Sequence, residues 1–342
     1  MTQATNGRTT SEIFASSSEF GVNSQSAIDG LLKPMDMKLV RHGSRKAMSE
    51  SDLLALPSHY QALINYSSHD VFSARVMDHF PALKIIARHG VGYDSIDVRA
   101  ASERRIYVTN TRQGAGEDRA VSDLTIAMLL ALSRNLIPFS AATKAGGWER
   151  PLTGDLYGQT LGIVGLGKIG KMTATKARAF GMNVLACDVV QDERFAAEHQ
   201  ISYVSFDELI AASDFISLHC PMSAENQGII GAREFARMKN GAVFINCARG
   251  QLVDEAALYE AAKSGKLSGV GVDVYCEEPP KNNPLLSLPN VIATPHIAAY
   301  TKATMTGMDM LVVSACADAL RGKQPENLVN EMASRTSAAP PA

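Results

Sequence analysis

At 342 residues the chain is long enough for two domains, either of which could bury its own core. With 46% hydrophobic residues, 20% charged residues and a net charge of −2, it shows neither the basic footprint of a nucleic-acid binder nor an acidic tail. Any anionic ligand must therefore be held by local charges, not by a field spread over the whole protein.

The first ten residues are polar and hold no apolar stretch of a signal peptide; residues 1–10 and 335–342 read as disordered tails. No run reads as long and apolar enough to cross a bilayer. Short apolar runs then predict strands at Glu12–Ala15, Lys38–Val40, Ala62–Ile64, Lys84–Ala87 and Tyr107–Val108. In Arg119–Ala145, Leu124, Ala127, Met128, Ala131 and Leu132 recur at helical spacing, predicting one long helix near a domain junction. A second series of strands is expected at Thr160–Val164, Asn183–Ala186, Phe215–Leu218, Ala242–Ile245, Gly269–Val274 and Val291–Ala293. A helix over Thr301–Leu320 follows, and the last residues return to the first unit. Strands alternating with helices predict an α/β protein with parallel sheets, and two series predict two units. The five cysteines (Cys187, Cys220, Cys247, Cys276 and Cys316) are odd in number, widely spaced and without a C-x-x-C pair. That argues against a disulfide framework or a zinc site and reads as reduced thiols in the cytoplasm. No metal and no membrane or nucleic-acid partner is expected.

The strongest local signal begins at Leu161. An apolar strand runs into Gly165-x-Gly167-x-x-Gly170 and then into a helix starting near Lys168. Gly165 permits a tight turn, Gly167 lets backbone approach a pyrophosphate, and Gly170 lets the helix pack on the strand. The helix N-terminus offers free N–H groups and a positive dipole end to phosphates. Asp188 closes the next strand, where a carboxylate accepts ribose hydroxyls and repels a 2′-phosphate, favouring NAD over NADP. The expected boundaries are 113–300 for this inserted nucleotide-binding domain, and 11–112 with 301–334 for a discontinuous substrate-binding domain.

Hydride transfer to a 2-oxo acid asks for a cation, a general acid and a carboxylate that keeps the acid charged and oriented. The sequence offers one candidate for each just past a predicted strand: Arg249, His296, and Glu278 with its neighbour Glu277 as competitor. Ligands of open α/β sheets bind at that carboxyl edge, and arginine can grip a carboxylate with two bonds.

With these residues in place, the sequence resembles the D-isomer-specific 2-hydroxyacid dehydrogenases, in the phosphoglycerate dehydrogenase-like branch without a regulatory domain. The matching stretches are Arg88–Asp97, Val108–Thr111, the glycine motif, Ser217–Pro221, Asn246–Gly250, Asp273–Pro280, Thr294–His296 and Pro325–Asn330. The resemblance implies two Rossmann-like domains, one flavodoxin-like and one dinucleotide-binding, with a cleft between them and a homodimer joined through the nucleotide domains. It implies Arg249, Glu278 and His296 as a catalytic trio, with Glu278 partnering His296. It assigns the N–H groups of Val91 and Gly92, beside Arg249 and His296, to the substrate; a Gly-Val-Gly turn suits an anion nest. It places Lys168, Ile169, Asp188, His219, Pro221, Cys247, Ala248, Asp273 and Ala298 with the three glycines around NAD, Cys247 as a wall and not a nucleophile.

This sequence departs from the family pattern in two places. The segment Thr111–Arg119 is longer than the family's, and no arginine stands near Tyr66, where phosphoglycerate enzymes hold their phosphate. The expected substrate is a hydroxypyruvate- or glyoxylate-type acid or 3-phosphoglycerate. The alternatives are phosphite or formate oxidation on the same fold, or an NAD-sensing scaffold without catalysis; formate enzymes carry Gln where Glu278 stands.

Overall fold

The computed structural model describes residues 10–112 and 114–330; apart from Thr10, the expected tails lie outside them, as does Gln113 of the Thr111–Arg119 loop. Two compact units emerge. One combines the described residues up to Gly116 with those from Lys302 onward; the other is Glu117–Thr301.

The first unit holds five parallel strands: β1 (Ser11–Ala15), β2 (Met37–Arg41), β3 (Ala62–Asn65), β4 (Ile85–Arg88) and β5 (Tyr107–Thr109), in the order β2-β1-β3-β4-β5. This is the flavodoxin order. Strands β3 and β4 are buried along their whole length, so they read as continuous apolar runs and not as alternating ones. The pleat still divides them between two cores. Ile13, Ile64 and Ile85 pack on one face with Val312, Val313 and Cys316, while Phe14, Leu63 and Ile86 meet Phe72, Val76 and Phe80 on the other. Val312, Val313 and Cys316 come from the helix Lys302–Leu320. That helix has the length and composition of a membrane span, contrary to the sequence reading, but it forms one wall of this core and half of it is buried. Beyond it the chain returns to β5, where Val329 donates to the Val108 carbonyl at 2.8 Å.

The second unit holds seven parallel strands: β6 (Thr160–Val164), β7 (Asn183–Cys187), β8 (Ile201–Tyr203), β9 (Phe215–Leu218), β10 (Ala242–Asn246), β11 (Leu267–Val272) and β12 (Val291–Ala293). Their order is β12-β11-β10-β9-β6-β7-β8. The winding reverses between β6 and β9, which opens a crevice at the carboxyl ends of those two strands. The short β8 is missed by the sequence reading, and β11 begins and ends two residues earlier than expected.

One expected helix is two. Glu117–Ser133 and Leu136–Lys144 are separated by a 61° bend, with Asn135 left-handed at φ +47°. Pro138 accounts for the break. In a continuous helix its ring would meet the carbonyl one turn earlier and a hydrogen bond would be lost; as the third residue of a new helix it needs no donor. The first helix buries Ala120, Val121, Ile126, Met128 and Leu129, whereas no residue of the second is buried.

Candidate active site

The crevice of the seven-stranded sheet is built from close backbone approaches. Gly165 leaves β6 at φ +96°, and a Cβ there would stand 2.6 Å from the Cys220 amide nitrogen. A Cβ on Gly170 would stand 2.1 Å from the Gly165 carbonyl oxygen, so the helix Lys168–Ala179 lies directly on the turn. Beside Gly167, by contrast, the space is open. The Asp188 carboxylate, just past β7, accepts from Leu166 N at 2.6 Å and from Val190 N at 3.1 Å, fixing it at the loop's tip. A cradle with a glycine floor, a helix N-terminus at one side and a carboxylate at the other fits a dinucleotide whose ribose carries no phosphate. His219 and Cys220 wall the crevice beyond β9, ahead of Pro221. Burial pushes the His219 imidazole down to about 4 and the Cys220 thiol up to about 11. Cys247 is buried with its sulfur 3.9 Å from that of Met128, and burial pushes its thiol up to about 12. A thiol so reluctant to ionise is a packing group, not a nucleophile.

Strands β10, β11 and β12 are neighbours, and each hands one charged residue to the same edge of the sheet. Arg249 follows β10. Asn246 shapes its loop by accepting from Ala248 N at 3.0 Å and donating to the Arg249 carbonyl at 2.8 Å. A Cβ on Gly250 would stand 2.0 Å from the Tyr275 carbonyl carbon, so this loop presses on the one after β11. That second loop carries Glu278. Its Oε1 accepts from Tyr275 N at 3.1 Å, and its Oε2 lies 2.8 Å from His296 Nδ1. Glu277 points elsewhere, to Lys281 at 3.0 Å, which decides between the two acids.

His296 follows β12 with a left-handed backbone, φ +54°, a costly setting for a residue that is not glycine. Asp273 holds it there. The Asp273 carbonyl accepts from His296 N at 2.8 Å, and its carboxylate accepts from Thr294 Oγ1, Ile297 N and Ala298 N at 2.6–2.8 Å. Burial raises this carboxyl above its ordinary range, and those three donors oppose the shift. Tyr275 adds a second tie, its hydroxyl donating to the Thr294 carbonyl at 3.0 Å. With Nδ1 engaged by Glu278, the imidazole presents Nε2 to a substrate.

The first unit, taken by itself, offers backbone groups at its own sheet edge. After β4 the chain turns through Gly90, Val91 and Gly92, and three consecutive carbonyls are tied. Gly90 O accepts from Thr111 N at 3.1 Å, Val91 O from Asn110 Nδ2 at 2.9 Å, and Gly92 O from Arg88 Nε at 2.7 Å. In a trans peptide the N–H opposes the carbonyl, so the amides of Val91, Gly92 and Tyr93 turn the other way. None of the three finds an acceptor among the described residues. Amides left unbonded in a Gly-Val-Gly turn are the kind of donor that an anion nest uses.

Residues that sequence reasoning left without a role, together with Asp273, which it placed at NAD, turn out to hold the others. Arg88, 7% exposed, also donates to the Tyr66 carbonyl at 2.7 Å and to Asn65; with Asn110 it sets the nest. Asn246, Tyr275 and Asp273 set the charged loops. Their signal was membership of the matching motifs, with no chemistry of their own to mark them.

Comparison with known proteins agrees with this geometry. The sequence model for "D-isomer specific 2-hydroxyacid dehydrogenase, NAD binding domain" matches residues 126–298. A D-3-phosphoglycerate dehydrogenase of Methanocaldococcus jannaschii is 43% identical over 75% of this chain, which spans only 49% of that relative's length. A glyoxylate reductase of Korarchaeum cryptofilum is 40% identical over 77% of this chain and 80% of its own. Among solved structures, a D-lactate dehydrogenase from Aquifex aeolicus complexed with NAD and lactic acid superimposes with a TM-score of 0.80 at 30% identity, covering 91% of this chain and 96% of that one. The crevice, the charged strand ends and these likenesses place the chain in the D-isomer specific 2-hydroxyacid dehydrogenase family, with the family's NAD-binding domain at residues 126–298.

Proposed function

We propose that the chain interconverts short 2-oxo acids and their 2-hydroxy acids with NAD(H), and that an unphosphorylated acid such as glyoxylate or hydroxypyruvate is the preferred substrate. The observation that carries the chemistry is the 2.8 Å contact of Glu278 with His296 Nδ1, on the strand end next to the one bearing Glu278. Bound NADH supplies the hydride. Arg249 holds the substrate carboxylate and polarises the carbonyl. His296 delivers a proton from Nε2 to the developing alkoxide, or takes it in the reverse direction. Glu278 fixes the tautomer and stabilises the charged ring. The N–H groups of Val91 and Gly92 bind carboxylate oxygen, while Asp188 and the glycine cradle hold the dinucleotide.

The preference for an unphosphorylated acid rests on the edge of the five-stranded sheet. Tyr66, in place of a cation, stacks on His89 with ring centroids 4.9 Å apart. Nearby arginines are engaged: Arg41 with Phe20 and Gln25, Arg45 with Glu19. The second reading, 3-phosphoglycerate, is favoured by the name of the Methanocaldococcus relative and requires Arg112 or Arg119 to supply the phosphate site. NADH oxidation with glyoxylate, hydroxypyruvate and 3-phosphohydroxypyruvate decides. Turnover of the first two supports the proposal, selective turnover of the third supports the second reading, and silence on all three with NADH bound contradicts both.

The proposal extends to a homodimer in the cytoplasm. In the second unit Leu136, Ile137, Trp148, Leu152 and Tyr157 are all more than half exposed, an apolar stretch that calls for a covering surface. A second copy of the chain is the proposed cover. Trp148→Glu should then sediment as a monomer; an unchanged mass, or a monomeric wild type, contradicts this. The five cysteines, all free thiols, suit a reducing compartment.

A further inference from the structure

His89 and Asp309 form a buried pair that the proposed chemistry does not use. They are 4% and 3% exposed. His89 Nε2 lies 3.0 Å from Asp309 Oδ1, and Asp309 Oδ2 accepts from Ser24 Oγ at 2.7 Å. The imidazole is stacked on Tyr66, and the ring of Phe20 meets it edge-on at 5.5 Å. Burial lowers the imidazole's affinity for a proton, against the pull of Asp309, so the neutral ring donates from Nε2. An apolar replacement of such a pair is often as stable or more so, which makes a purely stabilising purpose a weak account of it.

The next residue suggests another purpose. Gly90 sits at φ +137°, and its peptide to Val91 carries the first N–H of the nest. Glycine is the loosest joint in the turn. Downstream the joint is held by Thr111 and Asn110. Upstream it is held by His89, whose N–H donates to the Asn65 carbonyl at 2.9 Å and whose ring is tied through Asp309 to the helix Lys302–Leu320.

We propose that His89 and Asp309 are positioning residues for substrate binding: by locking the residue before Gly90 to that helix, they fix the direction of the Val91 N–H and so the affinity for a substrate carboxylate. This rests on the 2-oxo acid reading above. It predicts an effect on substrate binding and little on the chemical step, because Arg249, Glu278 and His296 belong to the other unit.

Two variants test it. Asp309→Asn keeps the shape but leaves one acceptor oxygen in place of two, so His89 Nε2 and Ser24 Oγ can no longer both donate to it as they do to the carboxylate. His89→Phe combined with Asp309→Leu replaces the pair by apolar groups and folds without a buried charge. The probe is oxamate, titrated into the NADH complex by nicotinamide fluorescence, beside kcat and KM for glyoxylate, NADH affinity and Tm. In both variants oxamate affinity should fall about tenfold and KM rise by a similar factor. Turnover at saturation should stay within about threefold and NADH affinity should not change. Wild-type oxamate affinity and KM in a folded variant, with or without a lower Tm, would overturn the proposal, as would an equal loss in kcat at constant KM. If Asp309→Asn does not fold, the double variant decides by the same readings. A wild type that binds NADH but neither binds oxamate nor turns over any 2-oxo acid overturns the functional reading and this proposal with it. That failure is recognised because it lies in the wild type and not in the variants.

Discussion

At the carboxyl edge of the seven-stranded sheet, charged side chains stand ready; at the same edge of the five-stranded sheet, backbone amides do. Arg249, Glu278 and His296 each leave a separate strand and can change protonation or grip charge. Val91 and Gly92 offer only fixed N–H dipoles, and the side chains that matter there, Arg88 and Asn110, serve to aim them. A group that moves a proton must be a titratable side chain, so the proposed function assigns rate chiefly to the first edge. A group that only binds an oxyanion can be main chain, which cannot be mutated away and does not titrate, so the proposed function assigns affinity to the second edge.

That contrast can be broken by mutation. The largest effect is expected from His296→Ala, which should lower kcat by about 10²–10⁴-fold while NADH affinity stays at the wild-type value. Loss of NADH binding as well would make His296 structural. Arg249→Lys keeps the charge but not the fork, and a fall of about 10²-fold in kcat/KM is expected; parity between the two cations would remove the bidentate role. Asn110→Ala should sharpen the comparison from the other side, raising KM for glyoxylate about tenfold with kcat nearly constant. Asp188→Ala should reduce the preference for NADH over NADPH by roughly tenfold, measured as the ratio of kcat/KM values. The smallest effect concerns stability. His219 titrates near 6.5 when unfolded and at about 4 when folded, so the unfolded chain binds the extra proton first. Its contribution is present at neutral pH and is lost as pH falls from about 6.5 to about 4, on the order of 3 kcal/mol. Urea melts at pH 7 and pH 5 should converge for His219→Gln relative to wild type; an equal pH dependence in both would contradict it.

Much of the fold was legible because parallel strands buried on both faces are apolar runs ended by Gly or polar residues, as at Ala62–Asn65 and Thr160–Val164. The break at Asn135 was hidden by helical periodicity on both sides of it, although Pro138 was the clue. The strand Ile201–Tyr203 is three residues long and gives no periodicity to read. Charged site residues stood out by chemistry and position; between Glu277 and Glu278, which chemistry alone left open, the family resemblance pointed to Glu278, the one whose side chain meets His296. Asp273 illustrates what could not be read. Its place in a motif suggested a position beside NAD, but not that its oxygens accept from Thr294, Ile297 and Ala298, long-range bonds that no local pattern announces. Arg88 and Asn110 were obscure for the same reason, since their partners are carbonyls, and every residue has one.

The most direct test of the division between rate and affinity is a single-turnover experiment. NADH-loaded protein is mixed with glyoxylate over a wide concentration range, and loss of nicotinamide absorbance is followed for wild type, His296→Ala and Asn110→Ala. The account predicts that Asn110→Ala reaches the wild-type rate at a higher glyoxylate concentration, whereas His296→Ala stays slow at every concentration. A His296→Ala protein that oxidises NADH at the wild-type rate, or an Asn110→Ala protein that stays slow at saturation, would contradict it.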